Sequence, residues 1–63
     1  MTLQEIRQRF DALDYAVAYQ VTDEMGRKWR YRTAPIRRGG PTGYFQTKKE
    51  LVRYLHQVEG MQS

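Results

Sequence analysis

The chain has 63 residues, no cysteine, eleven Lys or Arg against seven Asp or Glu, and a net charge of +4. That leaves room for one small domain, which buries only about 60% of the surface its unfolded chain exposes, and it excludes disulfides and thiolate metal sites. No apolar run approaches the roughly 18 residues of a membrane span, and "MTLQEIRQRF" lacks the charged-then-apolar layout of a signal peptide, so a cytoplasmic protein is expected.

In chain order, "TLQE" (Thr2 to Glu5) has capping-box spacing, and Leu3, Ile6, Phe10 and Leu13 follow at intervals of three and four. This predicts a helix within residues 1–14 with one apolar stripe. "YAVAYQVT" alternates large and small residues with period two, "DEMG" reads as a turn, and "RKWRYRTA" alternates again, which predicts a hairpin over 15–34. "PIRRGGPTG", with two prolines and three glycines, predicts a mobile loop over 35–43. "YFQ" offers a short third strand. "TKKE" (Thr47 to Glu50) is a second capping box, and Leu51, Tyr54, Leu55 and Val58 line one face of a helix over 47–59, with Gly60 as its stop. The expected fold is α+β, ordered α-β-β-(β)-α: a small antiparallel sheet with the helices on one face.

The hairpin register follows from its loop. If Glu24, Met25 and Gly26 form a three-residue connection, Gly26 takes the left-handed position such loops require. The opposite pairs are then Thr22–Lys28, Val21–Trp29, Gln20–Arg30, Tyr19–Tyr31, Ala18–Arg32 and Val17–Thr33. A four-residue loop would mix apolar and charged residues on each face, which the period of two disfavours. One face would hold Tyr15, Val17, Tyr19, Val21, Trp29 and Tyr31. The other would hold Ala16, Ala18, Gln20, Thr22, Lys28, Arg30 and Arg32, flat, cationic and free of large rings. Tyr15, Val17, Trp29, Phe45, Leu51 and Leu55 are the expected core.

Charge is unevenly spread. Residues 1–24 carry Arg7 and Arg9 against five carboxylates, a balance of −3, whereas residues 25–63 carry nine Lys or Arg against Glu50 and Glu59, a balance of +7. An asymmetry of this kind points to a face built for a polyanion. The expected contact residues are Lys28, Arg30 and Arg32 on the sheet, Arg37 and Arg38 in the loop, and Lys48 and Lys49 at the second helix. Arginine there can fork onto phosphates or guanine edges, and a strand pair fits a DNA major groove. The two lysines oppose the dipole at a helix N-terminus, a local cost of a few tenths of a kcal/mol that phosphate contact would explain.

The run "YAVAYQVTDEMGRKWRYRT…GYFQTKKELVRYL" resembles the arm-type DNA-binding domain at the N-terminus of tyrosine-recombinase integrases. In that family a strand ending in a D-x-x-G turn leads to a basic strand, then F-x-T-[KR]-x-E and a helix with an aromatic-Leu pair. Asp23, Gly26, Phe45, Thr47, Lys48, Glu50, Tyr54 and Leu55 match, within residues 15–58. The resemblance implies a three-stranded sheet with a helix on one face and DNA on the other, in a protein of phage or mobile-element kind, and it maps the DNA-contacting face onto Lys28, Arg30 and Arg32. The helix before the sheet and the "APIRRGGPTG" insertion depart from that pattern. The element order is also similar to a double-stranded-RNA-binding domain, although Leu51, Val52, Tyr54 and Leu55 are bulkier than that family's last helix.

Catalysis finds little to work with. His56, the one histidine, has no carboxylate positioned to pair with it, and Ser63 is the one serine. Gly39, Gly40 and Gly43 match neither a P-loop nor a dinucleotide fingerprint. The expectation is therefore a non-enzymatic protein without cofactor or metal that binds nucleic acid, duplex DNA before RNA, or else an inhibitor or adaptor docking an acidic protein surface through the same cations. A homodimer through an open strand edge is compatible with the pattern.

Overall fold

The computed structural model describes residues 1–37 and 39–62; Arg38 and Ser63 lie outside the described residues. Helix α1 (Leu3–Ala12) starts where the first capping box places it. Thr2 is extended, and its Oγ1 accepts the Glu5 N–H at 3.2 Å. The return arm differs from the ideal box: the Glu5 carboxylate accepts the Thr2 hydroxyl at 3.4 Å. Ile6 and Phe10 are fully buried on the stripe. The chain leaves the helix through Asp14, at φ +67, a conformation that short polar side chains tolerate better than others do.

Strands β1 (Tyr15–Thr22), β2 (Lys28–Pro35) and β3 (Gly43–Phe45) form one antiparallel sheet in the order β1-β2-β3. The third strand forms one residue earlier than "YFQ" indicated. In the hairpin, Gly26 sits at φ +84, its N–H donates to the Asp23 carbonyl at 3.1 Å, and the Asp23 N–H donates to the Arg27 carbonyl at 2.9 Å. Asp23 also accepts the N–H groups of Met25 and Arg27 on Oδ1, both at 2.9 Å. An aspartate opening a turn closes it with its own side chain in this way. Every expected pair of the register forms except one: Tyr19 faces Tyr31 and Val21 faces Trp29, but Gln20 and Arg30 between them do not pair. Gln20 lies at φ +52, a strain of roughly 1–2 kcal/mol for a residue with a Cβ.

Helix α2 (Lys48–Gln62) is capped by Thr47, whose Oγ1 accepts the Glu50 N–H and donates to the Glu50 carboxylate, both at 3.2 Å. The helix runs through Gly60 rather than stopping there. A C-terminal stop needs a left-handed glycine, and among the described glycines only Gly26 has positive φ. Arg9 grips Glu59 with two parallel bonds, Nε to Oε2 at 2.8 Å and Nη2 to Oε1 at 2.6 Å, which holds this last stretch against α1.

Both helices cover one face of the sheet. Ile6, Phe10, Tyr15, Leu51, Leu55 and Val58 form the core, with Val17, Tyr31, Phe45 and Tyr54 packed against it. The rings of Phe10, Tyr15, Phe45 and Tyr54 interlock at centroid distances of 5.2 to 6.4 Å. Burial, then the adjacent Tyr15 hydroxyl, holds the Tyr54 phenol above its ordinary value of 10.0. Thr33 is fully buried opposite Gly43, where a Cβ would come within 2.9 Å of the Phe45 ring and 3.0 Å of Thr33 Oγ1. Among the described residues its hydroxyl has no hydrogen-bond partner.

Trp29 departs from the expected core. Its ring lies 5.7 Å from that of Tyr44, and Tyr44 stands opposite Arg32, on the face away from Tyr31 and Phe45. Rings on opposite faces of a sheet stand too far apart for such contact, since side chains project from both sides of the pleat. The left-handed Gln20 and the missing Gln20–Arg30 pair break the alternation, so Trp29 emerges on the open face. The helical cover already thins at Tyr19, which is 39% exposed. Beyond it Trp29 finds partners on the uncovered side.

Candidate nucleic-acid interface

The sheet face away from the helices is built from β2 and β3. Arg32 and Tyr44 stand opposite each other on it, with Ala18 across β1 from Arg32 and Ala34 two residues further along β2. Small residues on β1 keep this side low, while Trp29 and Tyr44 raise a ring pair over its other end. The indole is fixed at its edge as well: Nε1 donates to Asp23 Oδ2 at 2.9 Å. That bond is the main reason the Asp23 carboxyl falls below its ordinary value of 3.8; burial opposes it, and the Arg27 and Met25 N–H groups and the Arg27 charge add to it. One carboxylate thus closes the turn and orients the tryptophan.

The three sheet cations do not form the flat, ring-free patch that uninterrupted alternation implies. Arg32 is exposed beside Tyr44. Arg30, exposed and unpaired at the break, borders two hollows: one with Val21, Trp29 and Gln46, the other with Leu3, Tyr19 and Tyr31 beside α1. Lys28 pairs with Thr22 and alternates with Trp29, which turns it away from the side of Arg32.

The Lys28 carbonyl accepts the Gln46 Nε2 at 2.9 Å, which ties the start of β2 to the residue just before α2. Lys48 and Lys49, both exposed in the first turn of α2, therefore lie at the same end of the sheet as Lys28 and Arg30. Arg37 lies at the other end, beyond Pro35, which faces Tyr15; eight strand residues place it about 25 Å away. Its Nε sits 3.5 Å from Asp14 Oδ1 and its N–H 3.3 Å from Oδ2, while the Asp14 carbonyl accepts the Ile36 N–H at 2.9 Å. Arg37 thus helps pin the loop to the corner between α1 and β1. Arg38 lies outside the described residues.

Tyr44, Gln46 and Val21 belong to this surface and were absent from the expected set. Alternation about Phe45 places Tyr44 on the open face, so registering β3 against β2 reveals it. Among the described residues, no cluster of three or more His, Asp or Glu is grouped to hold a metal, and no helix is long and apolar enough to cross a membrane.

Comparison with protein-family models, curated proteins and solved structures finds no match for this chain. The integrase-like residues fall at the hairpin turn (Asp23, Gly26), on β3 (Phe45), and at the cap and inner face of α2 (Thr47, Glu50, Tyr54, Leu55).

Proposed function

We propose that this protein binds nucleic acid through the sheet face that its helices leave open and the cationic end of the sheet beside it. One observation carries the reading: the three strands hold Lys28, Arg30 and Arg32 and no carboxylate, while both helices pack on one side. Arg32 would fork onto a phosphate, with Arg30, Lys28, Lys48 and Lys49 continuing the contact toward the α2 end. Lysines at a helix N-terminus, unfavourable on their own, gain a counter-charge when a phosphate lies there. The integrase-like pattern supports the same face. No step of chemistry is implied, because binding alone uses these groups.

Fluorescence anisotropy with labelled oligonucleotides across a salt series tests the proposal. Engaging three to five cations gives a slope of log K against log salt of about −2 to −4.5. Arg32→Glu and Arg30→Glu together abolish that binding. Absence of salt-sensitive binding at micromolar protein to duplex DNA, duplex RNA and single strands alike refutes it. Retention of one stoichiometric acidic protein partner through Arg30 and Arg32 would then assign the cations to protein docking.

A further inference from the structure

We infer, on the basis of the nucleic-acid reading, that the groove beside Trp29 seats an unpaired base, and that the protein prefers single strands over duplex. The groove is open to solvent and has a volume of about 490 Å³ between the ends of β1 and β2 and the residue after β3. Val21 and Trp29 supply its apolar surface, Gln20 and Gln46 its amides and Arg30 its charge, with Lys28 at its rim. That combination matches a nucleobase with its flanking phosphates: a π-face to stack on, edges to hydrogen-bond, and cations where the backbone passes.

Four features of the site point the same way. Trp29 is held on both sides, by Tyr44 at 5.7 Å and by Asp23 through Nε1, so its ring is already oriented before anything arrives. Asp23, which holds the Trp29 ring, already accepts from three donors: the indole and the N–H groups of Met25 and Arg27. Gln20 is the strained residue of the sheet, at φ +52, and its exposed side chain borders the groove. Such outliers gather where a ligand is held. Gln46 spends its Nε2 on the Lys28 carbonyl, which leaves Oε1 as an acceptor toward a base edge.

A duplex cannot use this site as it stands. Its bases stack on one another and expose only their edges in the grooves, so no π-face reaches Trp29 without unpairing. The predicted ordering is therefore single strand above duplex, with phosphate contacts common to both.

Trp29 is the single tryptophan of the chain, so its emission reports on this groove. The unaltered protein is titrated with a ten-residue oligothymidylate, with the same strand carrying abasic positions, and with a duplex of equal length. Anisotropy and tryptophan emission are read together. The inference predicts tighter binding of the intact single strand with quenching of Trp29, and an affinity about 5- to 150-fold weaker for the abasic strand, the range of aromatic stacking on a base. Equal affinity for all three with unchanged emission overturns it and leaves the nucleic-acid reading standing. Binding of none of them overturns that reading itself.

Discussion

Gly26→Ala and Gly60→Ala are the same chemical change in two backbone settings, and the structure predicts opposite signs. Neither position is crowded: a Cβ at either would meet nothing within 4 Å. The difference is therefore conformational. Gly26 sits at φ +84 and closes the three-residue hairpin loop. An alanine there carries the left-handed penalty of about 1–2 kcal/mol. Gly60 lies within α2, where alanine is preferred to glycine by about 0.8–1.0 kcal/mol, somewhat less so close to the helix end. With an unfolding entropy of about 2.1 cal/mol/K per residue, a chain of this length loses or gains roughly 7–8 °C in Tm per kcal/mol. Gly26→Ala thus lowers Tm by about 8–15 °C, and Gly60→Ala raises it by about 4–8 °C. Thermal unfolding followed by far-UV circular dichroism measures both. A Gly26→Ala change under about 2 °C would mean that the loop does not require the left-handed residue, and the register argument would fail with it.

Thr33→Val removes a fully buried hydroxyl that has no partner among the described residues, so it stabilises the fold by about 1 kcal/mol in urea denaturation; destabilisation would reveal a further partner for that oxygen. Asp23 has a folded-state value lowered beneath 3.8, so its contribution is present above the unfolded value and is lost as pH falls through the folded one. Asp23→Asn therefore lowers Tm at pH 7, and the gap to the parent protein narrows below about pH 4; a gap independent of pH would detach the effect from ionisation. Arg9→Ala costs only about 0.2–1 kcal/mol, because its bidentate pair with Glu59 is partly exposed; a larger loss by urea denaturation would show that the pair, not the apolar core, holds α2 to α1.

The parts of this fold that could be read from sequence are those fixed by local chemistry. Thr2 and Thr47 cap their helices because a hydroxyl three residues before a glutamate satisfies the Glu N–H, whatever packs around it. Gly26 sets the hairpin register because the loop admits no other length without mixing the faces. The parts that could not be read depend on tertiary cover. Glutamine carries no signal for the left-handed region, and Gln20 adopts it where the core cover runs out near Tyr19. At that same position the Gln20–Arg30 pair is missing, and next to it Trp29 lies against Tyr44 rather than in the core. Arg37 was expected among the contact residues by composition; its place beside Asp14, set by the left-handed turn there, could not be read from sequence. Gly60 looked like a stop, yet Arg9 clamps the residue before it from another helix.

Whether the open face of the sheet meets nucleic acid is decided by an amide chemical-shift titration with a short oligonucleotide. Shifts are expected to concentrate at Trp29, Arg30, Arg32, Tyr44, Gln46 and Lys48, with the outer side of α1 at Arg7, Gln8 and Asp11 unmoved. Shifts centred on α1, or none at concentrations where the oligonucleotide is in excess, would contradict it.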